Sequence, residues 1–274
     1  MKILITGSSG FVGTNLVKIL SSKHQIVRYD IKEGQDILDE KLLSKKLRGV
    51  DLVIHLAAFI SAQESWEKPE EYIKNNSLGT LSVVRSSIKA DVKKIIFFSS
   101  AAVKAKPLTP YAVSKISAED ILGLYKKNIN VVVVRPENIY GPGQKEAYGY
   151  VIHNFIKAVK NREPIKIYGD GNQTRDFIYI DDVINTVGKI IDMDIKSGTV
   201  ISLGTGKETR IIDLAKMVMK ILGRKIRINF LEQRSEPRKS VANAKKLREI
   251  SIDNNNFIEL KFGVAKLVKL QYNR

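Results

Sequence analysis

A tyrosine and a lysine stand four residues apart in the stretch Tyr111-Ala112-Val113-Ser114-Lys115. In a helix this spacing places both side chains on one face, close enough to act together. An ammonium group beside a phenol stabilises the phenolate, so such a pair can accept and return the proton of a hydroxyl group. The pair alone is a weak signal, because Tyr-x-x-x-Lys arises by chance in many helices.

Three glycines follow the first predicted strand. Residues 2–6 read as a buried strand, and Gly7, Gly10 and Gly13 lead into a helical pattern at 14–20. A strand, a glycine turn and a helix N-terminus form a cradle for the pyrophosphate of a dinucleotide. A dinucleotide site together with the tyrosine–lysine pair indicates hydride chemistry on a hydroxyl group.

An acidic residue, Asp30, ends the second predicted strand. A carboxylate at this position accepts hydrogen bonds from ribose hydroxyls and repels a 2′-phosphate, which favours NAD over NADP. Lys32 lies nearby and keeps NADP as an alternative.

Composition excludes several classes of protein. The chain of 274 residues has no cysteine and a net charge of +17. No apolar run approaches the ~20 residues of a membrane helix, and three scattered histidines give no metal-site signal. The absence of cysteine fits a cytoplasmic enzyme. The basic residues are dispersed, which indicates a solvated surface suited to an anionic substrate rather than to nucleic acid.

Strand and helix patterns alternate through the first half of the chain, which predicts an α/β fold. Strands are predicted at 2–6, 26–30, 51–56, 94–99, 130–135 and 199–203, and helices near 11–22, 39–48, 70–89, 111–127, 150–161, 180–192 and 211–222. The apolar strands predict a doubly wound parallel sheet of the Rossmann type with a smaller C-terminal substrate-binding lobe. The dinucleotide-binding domain is predicted at 1–137 and 174–203, and the smaller lobe at 138–173 and 204–274.

Further motifs occur in a fixed order along the chain. They are Gly34-Gln35-Asp36-Ile37, His55-Leu56-Ala57-Ala58, Asn75-Asn76-Ser77-Leu78-Gly79-Thr80, Ser99-Ser100, Arg135-Pro136-Glu137-Asn138-Ile139-Tyr140-Gly141-Pro142-Gly143 and Gly169-Asp170-Gly171-Asn172-Gln173-Thr174-Arg175-Asp176-Phe177. With the glycine turn and the tyrosine–lysine pair, they resemble the extended short-chain dehydrogenase/reductase family, specifically its NAD-dependent nucleotide-sugar epimerases and dehydratases. The resemblance covers roughly residues 1–250.

The resemblance implies a role for each matching residue. The implied catalytic residues are Ser100, Tyr111 and Lys115. The implied NAD-binding residues are Gly7, Gly10, Phe11, Val12, Gly13, Asp30, Asp36, Ile37, Leu56, Ala57, Ala58, Asn76, Tyr111 and Lys115. The implied nucleotide-sugar contacts are Ser100, Asn138, Arg175, Arg234 and Glu236.

The resemblance is strongest to the UDP-glucose/UDP-galactose 4-epimerases, which implies a transient 4-keto sugar, tightly bound NAD and a place in galactose metabolism. It also implies a homodimer formed by the helices near 70–89 and 111–127. The dehydratase branch has an Asp-Glu pair directly after the active-site hydroxyl residue, whereas here Ala101 and Ala102 follow Ser100. The short 101–110 loop, with Lys104 and Lys106, predicts a more open sugar pocket.

Two other functions remain open at this stage. A net NAD(P)-dependent oxidoreductase acting on a nucleotide sugar or small hydroxyl compound has the same fold and the same tyrosine–lysine pair. A non-enzymatic dinucleotide-binding regulatory protein is a third class, against which the intact Ser100, Tyr111 and Lys115 argue.

Overall fold

The computed structural model describes residues 1–144, 150–234 and 236–272. Its strands are β1 (Lys2–Thr6), β2 (Gln25–Tyr29), β3 (Leu52–His55), β4 (Lys94–Phe98), β5 (Asn130–Pro136), β6 (Asn138–Tyr140), β7 (Ile165–Tyr168), β8 (Thr174–Arg175), β9 (Phe177–Tyr179), β10 (Thr199–Leu203), β11 (Thr209–Arg210), β12 (Ile228–Leu231) and β13 (Lys239–Ser240). Each predicted strand is confirmed to within one residue.

The α-helices are α1 (Phe11–Leu20), α2 (Glu40–Lys46), α3 (Glu64–Glu67), α4 (Pro69–Tyr72), α5 (Gly79–Lys89), α6 (Pro110–Tyr125), α7 (Val151–Asn161), α8 (Ile180–Asp192), α9 (Ile211–Ile221), α10 (Lys245–Glu249) and α11 (Leu260–Leu267). Short 3-10 helices lie at Ile31–Glu33, Ala101–Lys104 and Asn254–Asn256, and π-helical turns lie at Ile73–Leu78 and Val268–Tyr272. Among the residues described, no helix is both long and apolar enough to cross a bilayer.

A six-stranded parallel sheet in the order β10-β5-β4-β3-β1-β2 forms the centre of the fold. The chain moves outward from β1 to β2 and then crosses to β3 on the other side of β1. In sheets of this kind, ligands bind beyond the carboxyl ends of the strands where the order reverses. The switch point lies between β1 and β3, whose carboxyl ends are Thr6 and His55.

Successive residues of each strand point to opposite faces of this sheet, and both faces are covered. One face packs Leu4, Val53, Phe97 and Val133 into an apolar core with residues of α2, α5 and α6. The alternate residues, such as Ile54 and those beside it in the other strands, are equally buried. The near-continuous apolar runs of the sequence follow from this double burial.

The prediction of one continuous helix at 70–89 is wrong. The structure has α4, then the π-helical segment Ile73–Leu78, then α5. The π-helical segment buries Asn76 and Ser77. π-Helical turns of this kind are frequent at functional sites, and a reading based on a 3.6-residue period cannot detect the change of register.

The chain forms two compact units. The first contains Met1–Lys104, Leu108–Pro136 and Ile184–Ile201, and the second contains Ala105–Pro107, Glu137–Val183 and Ser202–Arg274. Residues 174–183 belong to the second unit, whereas the sequence assigned them to the dinucleotide-binding domain. The reason is strand pairing: β8 pairs with β11 and β13, and β9 pairs with β6.

The close packing of α1 against the first glycine turn gives a stability prediction. A Cβ atom at Gly13 would lie 2.2 Å from the carbonyl oxygen of Gly7 and 2.8 Å from Cα of Ser8. Both are backbone atoms, so the turn must shift, and we expect Gly13→Ala to lower the free energy of unfolding by about 1–3 kcal/mol. Urea denaturation measures this change.

The matched control is Gly188→Ala in α8, where an added Cβ meets nothing within 4 Å. Alanine replaces glycine in a helix interior there, so a gain of about 0.5–1 kcal/mol is expected. Equal stability of the two variants would contradict the close packing of α1 on the turn.

Candidate active site

The glycine turn after β1 is shaped for close approach of another group. Gly7 has φ of +68°, a conformation that favours glycine. A Cβ at Gly7 would lie 2.8 Å from the amide nitrogen of Ala57, which follows β3. The turn therefore lies at the β1/β3 switch point, and α1 begins directly after it at Phe11. The first amides of a helix lack intrahelical partners and suit a phosphate, which also accounts for the predicted roles of Gly10 and Val12.

Asp30 lies beside this turn and is 5% exposed. Its carboxylate accepts hydrogen bonds from the amides of Ser9 at 2.8 Å and Lys32 at 3.0 Å. Asp36 accepts a hydrogen bond from the amide of Leu38 at 2.9 Å. The structure thus fixes both predicted carboxylates at the end of the sheet nearest the glycine turn.

Ile37 is buried, and its side chain fills the space against Gly79, where an added Cβ would lie 2.4 Å from Cδ1 of Ile37. This contact joins the segment after β2 to the start of α5. A bulkier residue at position 79 would displace Ile37. The glycine of the Asn75–Thr80 motif therefore has a packing role.

A chain of hydrogen bonds fixes the turn after β3. The amides of Leu56 and Ala57 donate to Oγ1 of Thr6 at 3.1 and 3.2 Å. With two bonds accepted, the Thr6 hydroxyl donates to Nδ1 of His55 at 2.7 Å, so His55 carries its proton on Nε2 and donates to Thr80 at 3.0 Å. Burial, and secondarily the charge of Lys115, lowers the pKa of His55 to about 3. His55 is therefore a neutral core residue.

The side-chain amide of Asn76 is fully engaged within the protein. Its Oδ1 accepts from the amide of Phe59 and from Asn75, and its Nδ2 donates to the carbonyl of Phe59 and to Ser114, all at 2.9–3.0 Å. These bonds join the segment after β3 to α6. The residue thus positions elements of the site, and a direct hydrogen bond from it to a cofactor would require one of these contacts to break.

Tyr111 and Lys115 lie on the buried face of α6. The helix begins at Pro110, with Thr109 as the N-cap accepting from the amide of Ala112 at 3.2 Å. Proline suits the first helical position because it has no amide hydrogen to satisfy. Tyr111 is 8% exposed and contacts the ring of Tyr72 edge-on, at 6.3 Å between centroids.

The Lys115 amine lies in an apolar environment. The residue is 2% exposed, and Nζ lies 4.4 Å from the ring centroid of Phe97. Burial lowers the pKa of Lys115 to about 7, and the carboxylate of Glu119 opposes that shift. An ammonium in this position exerts a strong field on its neighbours because little water screens it.

Ser100 follows β4, and its Oγ accepts from the amide of Ala102 at 3.1 Å. This bond uses an acceptor site of the hydroxyl, whose proton can still be donated. The short loop then forms a 3-10 helix at Ala101–Lys104, and Lys104 and Lys106 are both exposed.

In the second unit, the structure brings Arg175 and Glu236 together. Nη2 of Arg175 lies 2.6 Å from Oε2 of Glu236, and Nη1 donates to the carbonyls of Thr174 at 2.8 Å and Pro237 at 2.9 Å. The side chain of Arg175 is only 12% exposed. Much of this guanidinium therefore joins β8 to the 236–238 segment, a role that the sequence did not indicate.

The remaining predicted contacts lie on neighbouring elements of the same unit. The guanidinium of Arg234 lies over the ring of Tyr168, 3.3 Å from its centroid. Asn138 is exposed, and its Nδ2 donates to the carbonyl of Asp176 at 2.9 Å. A small surface depression is lined by Tyr168, Gly169, Gln173, Gln233, Glu236 and Arg238.

Sequence reasoning missed residues that support the predicted ones. Glu119 follows Lys115 by one helical turn, and this spacing was readable. Tyr168 lies under Arg234, and nothing in its own spacing marks it. Thr6 carries the hydrogen bonds of the switch point, which only the pairing of β1 with β3 reveals.

Comparison with known proteins agrees with this geometry. A model of the NAD dependent epimerase/dehydratase family matches residues 3–204. A Bacillus subtilis protein named "Uncharacterized UDP-glucose epimerase YtcB" is 26% identical, over 91% of this chain and 92% of its own. Other relatives are named as a dTDP-D-glucose 4,6-dehydratase and a UDP-N-acetyl-alpha-D-glucosaminuronate decarboxylase.

Two solved structures are similar along almost the whole chain. UDP-glucuronic acid 4-epimerase of Bacillus cereus, in complex with UDP-glucuronic acid and NAD, is 30% identical with a TM-score of 0.88. UDP-glucose 4-epimerase of Thermotoga maritima, with UDP-glucose, is 27% identical with a TM-score of 0.89. Each comparison covers 98% of both chains.

The fold is that of the Rossmann-fold epimerases, with Tyr111 and Lys115 on one buried face of α6. The chain belongs to the NAD dependent epimerase/dehydratase family, whose model covers well over half of its length. NAD is the cofactor, and the residues fit it: the cradle at Gly7 and Gly13 leaves no room for a Cβ, and Asp30 is fixed beside it. A nucleotide sugar is the substrate class that this family membership indicates.

The burial of Lys115 gives a pH-dependent stability prediction. The pKa of Lys115 is about 7 in the folded protein and has the ordinary value of 10.5 in the unfolded chain. Between these values the unfolded state binds one more proton, so stability rises with pH by up to about 1.4 kcal/mol per unit. Below pH 7 Lys115 is protonated in both states, so burial of its ammonium lowers the free energy of unfolding by its full amount.

Lys115→Met removes this ionisation. We therefore expect the free energy of unfolding of the unsubstituted protein, relative to the variant, to increase from pH 7 to pH 10 in urea denaturation without cofactor. Lys18→Met, at an exposed position, is the control and should show a constant difference. A constant difference for Lys115→Met as well would contradict the depressed pKa.

Proposed function

We propose that this protein is a nucleotide-sugar 4-epimerase with tightly held NAD, acting on UDP-glucose and UDP-galactose. The observation that carries the proposal is the pairing of Tyr111 with a desolvated Lys115 on one face of α6. This pair occurs in a chain of the NAD dependent epimerase/dehydratase family. Relatives named as UDP-glucose epimerases support the choice of sugar.

Each catalytic residue has a defined task in the proposed reaction. Tyr111 accepts the proton of the sugar 4-hydroxyl and later returns it, and the Lys115 ammonium stabilises the phenolate form. Ser100 donates a hydrogen bond to the same sugar oxygen, where negative charge develops. NAD, when bound, supplies the hydride acceptor and donor. The sugar passes through a 4-keto form and returns with either configuration.

The nucleotide part of the substrate has candidate contacts in the second unit. Arginine suits a diphosphate because its fork donates two hydrogen bonds at once. Arg175 and Arg234 are proposed for this role, and Asn138 is proposed to donate to the same group. Glu236 lies at the depression beside Tyr168 and is proposed to accept from the ribose hydroxyls.

Dehydration and decarboxylation are less well supported, although relatives carry those names. Elimination of water needs a carboxyl group near the reacting carbon to move the proton. After Ser100, however, the 3-10 helix begins with Ala101 and Ala102, whose side chains cannot do this. The proposal is therefore an epimerase.

A homodimer is part of the proposal. Leu78, Val113 and Leu124 are 50%, 42% and 79% exposed at the end of the π-helical turn and on α6. Because the π-helical segment packs on α6, we propose that these three side chains belong to one apolar surface. A second copy of the same surface would bury these side chains in a four-helix packing, which removes apolar area from water. A cytoplasmic location stays a prediction.

The direct test uses purified protein with UDP-glucose, UDP-galactose and their N-acetyl forms, with and without added NAD, and resolves the sugars by chromatography. Interconversion without net NADH formation is the expected result, and it ranks the substrates. NADH accumulation in proportion to the substrate consumed would overturn the epimerase in favour of a net oxidoreductase. NAD binding without any turnover of these sugars would overturn the proposal that UDP-glucose and UDP-galactose are the substrates.

Tyr111→Phe should reduce turnover by about 100-fold or more, because only the proton-transferring oxygen is lost. NAD affinity, measured by fluorescence titration, should remain close to that of the unsubstituted protein. Tyr125→Phe changes the same residue type near the end of the same helix and should leave turnover intact. Loss of NAD binding or of folding in Tyr111→Phe would count against the assigned role.

Leu124→Lys tests the dimer. A charge inside an apolar interface is costly to bury without a partner, so sedimentation should show a monomer for this variant and a dimer for the unsubstituted protein. Ile19→Lys, at another exposed apolar position, should leave the dimer unchanged. A dimer that persists in Leu124→Lys would exclude this surface.

A further inference from the structure

Glu119 continues the series formed by Tyr111 and Lys115. The three residues are spaced by four on α6, so their side chains lie on one face of the helix. The side chain of Glu119 is 10% exposed. A carboxylate at such a buried position needs charged or hydrogen-bonding partners.

The partners of Glu119 come from the carboxyl ends of two neighbouring strands. Nε of Arg135, in β5, donates to its Oε1 at 2.9 Å, and Nη2 of Arg135 donates to its Oε2. The hydroxyl of Ser99, which precedes Ser100 after β4, also donates to Oε1. The carboxylate therefore joins α6 to the carboxyl ends of β4 and β5.

We propose that Glu119 and Arg135 are positioning residues that together set the protonation of Lys115: the Glu119 carboxylate stabilises the buried ammonium, and Arg135 fixes the carboxylate and limits its effect. The proposal rests on the proposed function, since it treats Lys115 as a catalytic group. The geometry distinguishes it from an ordinary surface ion pair, because both side chains are largely buried and the contact is bidentate.

None of the other ionisable groups named in this paragraph stabilises the Lys115 ammonium as a buried carboxylate does. On β3, His55 is neutral, with a pKa lowered by burial and by Lys115 itself. On the α3–α4 side, Tyr72 contacts Tyr111, and Glu64 pairs with Lys68. The charged residues of the other elements packed on α6 are exposed and thus screened by water: Glu67, Glu70, Glu71, Lys74, Arg85, Lys89 and Lys104.

Two substitutions should move the Lys115 pKa in opposite directions. Glu119→Gln keeps the shape of the side chain but removes its negative charge. The Lys115 ammonium is then less stable, and the Lys115 pKa falls by about one unit. Arg135→Gln leaves the carboxylate without its cation, so its effect on Lys115 grows and the pKa rises. If the Glu119–Arg135 pair only stabilised the fold, both variants would be less stable, and the Lys115 pKa would not shift in opposite directions.

The measurement is a pH titration of protein labelled with ¹³C at lysine Cε, without cofactor, in which the Lys115 signal is identified by its loss in Lys115→Met. Ser99→Ala is the matched control: it removes one hydrogen bond to Glu119 without changing a charge, so the Lys115 pKa should stay near that of the unsubstituted protein. Arg135→Lys restores the cation and should reverse the rise seen in Arg135→Gln.

Turnover supplies the second readout. The alkaline limb of the kcat–pH profile should move to lower pH in Glu119→Gln and to higher pH in Arg135→Gln, with KM for the sugar changed less than kcat. If Glu119→Gln does not fold, Arg135→Gln and Arg135→Lys carry the test alone. A Lys115 pKa that is unchanged in every folded variant overturns the proposal.

The two readouts separate this proposal from the function it rests on. Opposite pKa shifts without turnover of any UDP-sugar would support the pair and overturn the proposed substrate. Turnover of UDP-sugars with no shift in either variant would support the function and overturn the pair.

Discussion

The burial of one lysine ammonium constrains the dinucleotide-binding unit more than any other interaction. Lys115 is 2% exposed and lies against the ring of Phe97. A desolvated ammonium is unstable unless its surroundings are fixed, because the low local dielectric makes any loss of a partner costly. The helix that carries it must therefore be held at several points along its length.

Those points of attachment differ in kind. Thr109 caps the start of α6, the amide of Asn76 donates to Ser114, and the Glu119 carboxylate joins the last turns to Arg135. The contacts of Ser114 and Glu119 reach two different elements, so the helix cannot slide or rotate without breaking them. The π-helical turn has the same consequence, because the change of register there is what buries Asn76 and Ser77 beneath α6.

Sequence patterns predicted the fold well where one force dominates. Strand positions follow from apolar runs that both faces of the sheet bury, and the glycine turn follows from a backbone approach that only glycine permits. The patterns failed where long-range contacts decide. The helix at 70–89 was read with one period. Residues 174–183 were grouped with the helix and strand that follow them, although their own strand pairing places them with the second unit. Glu119 was missed because its value depends on Arg135, sixteen residues away.

The second unit illustrates why a residue type alone does not define its role. Arg175 and Glu236 were each assigned to a nucleotide sugar, yet they bind each other. A buried guanidinium must be satisfied whether or not an anion is bound, and the two carbonyls on Nη1 hold its plane in one orientation. An anion that approaches Nη2 must compete with Glu236, whereas a ribose that binds the carboxylate reduces that competition. In the roles proposed for Arg175 and Glu236, the pair would therefore link recognition of the two parts of a nucleoside diphosphate, and a group that presents only one of them would gain less.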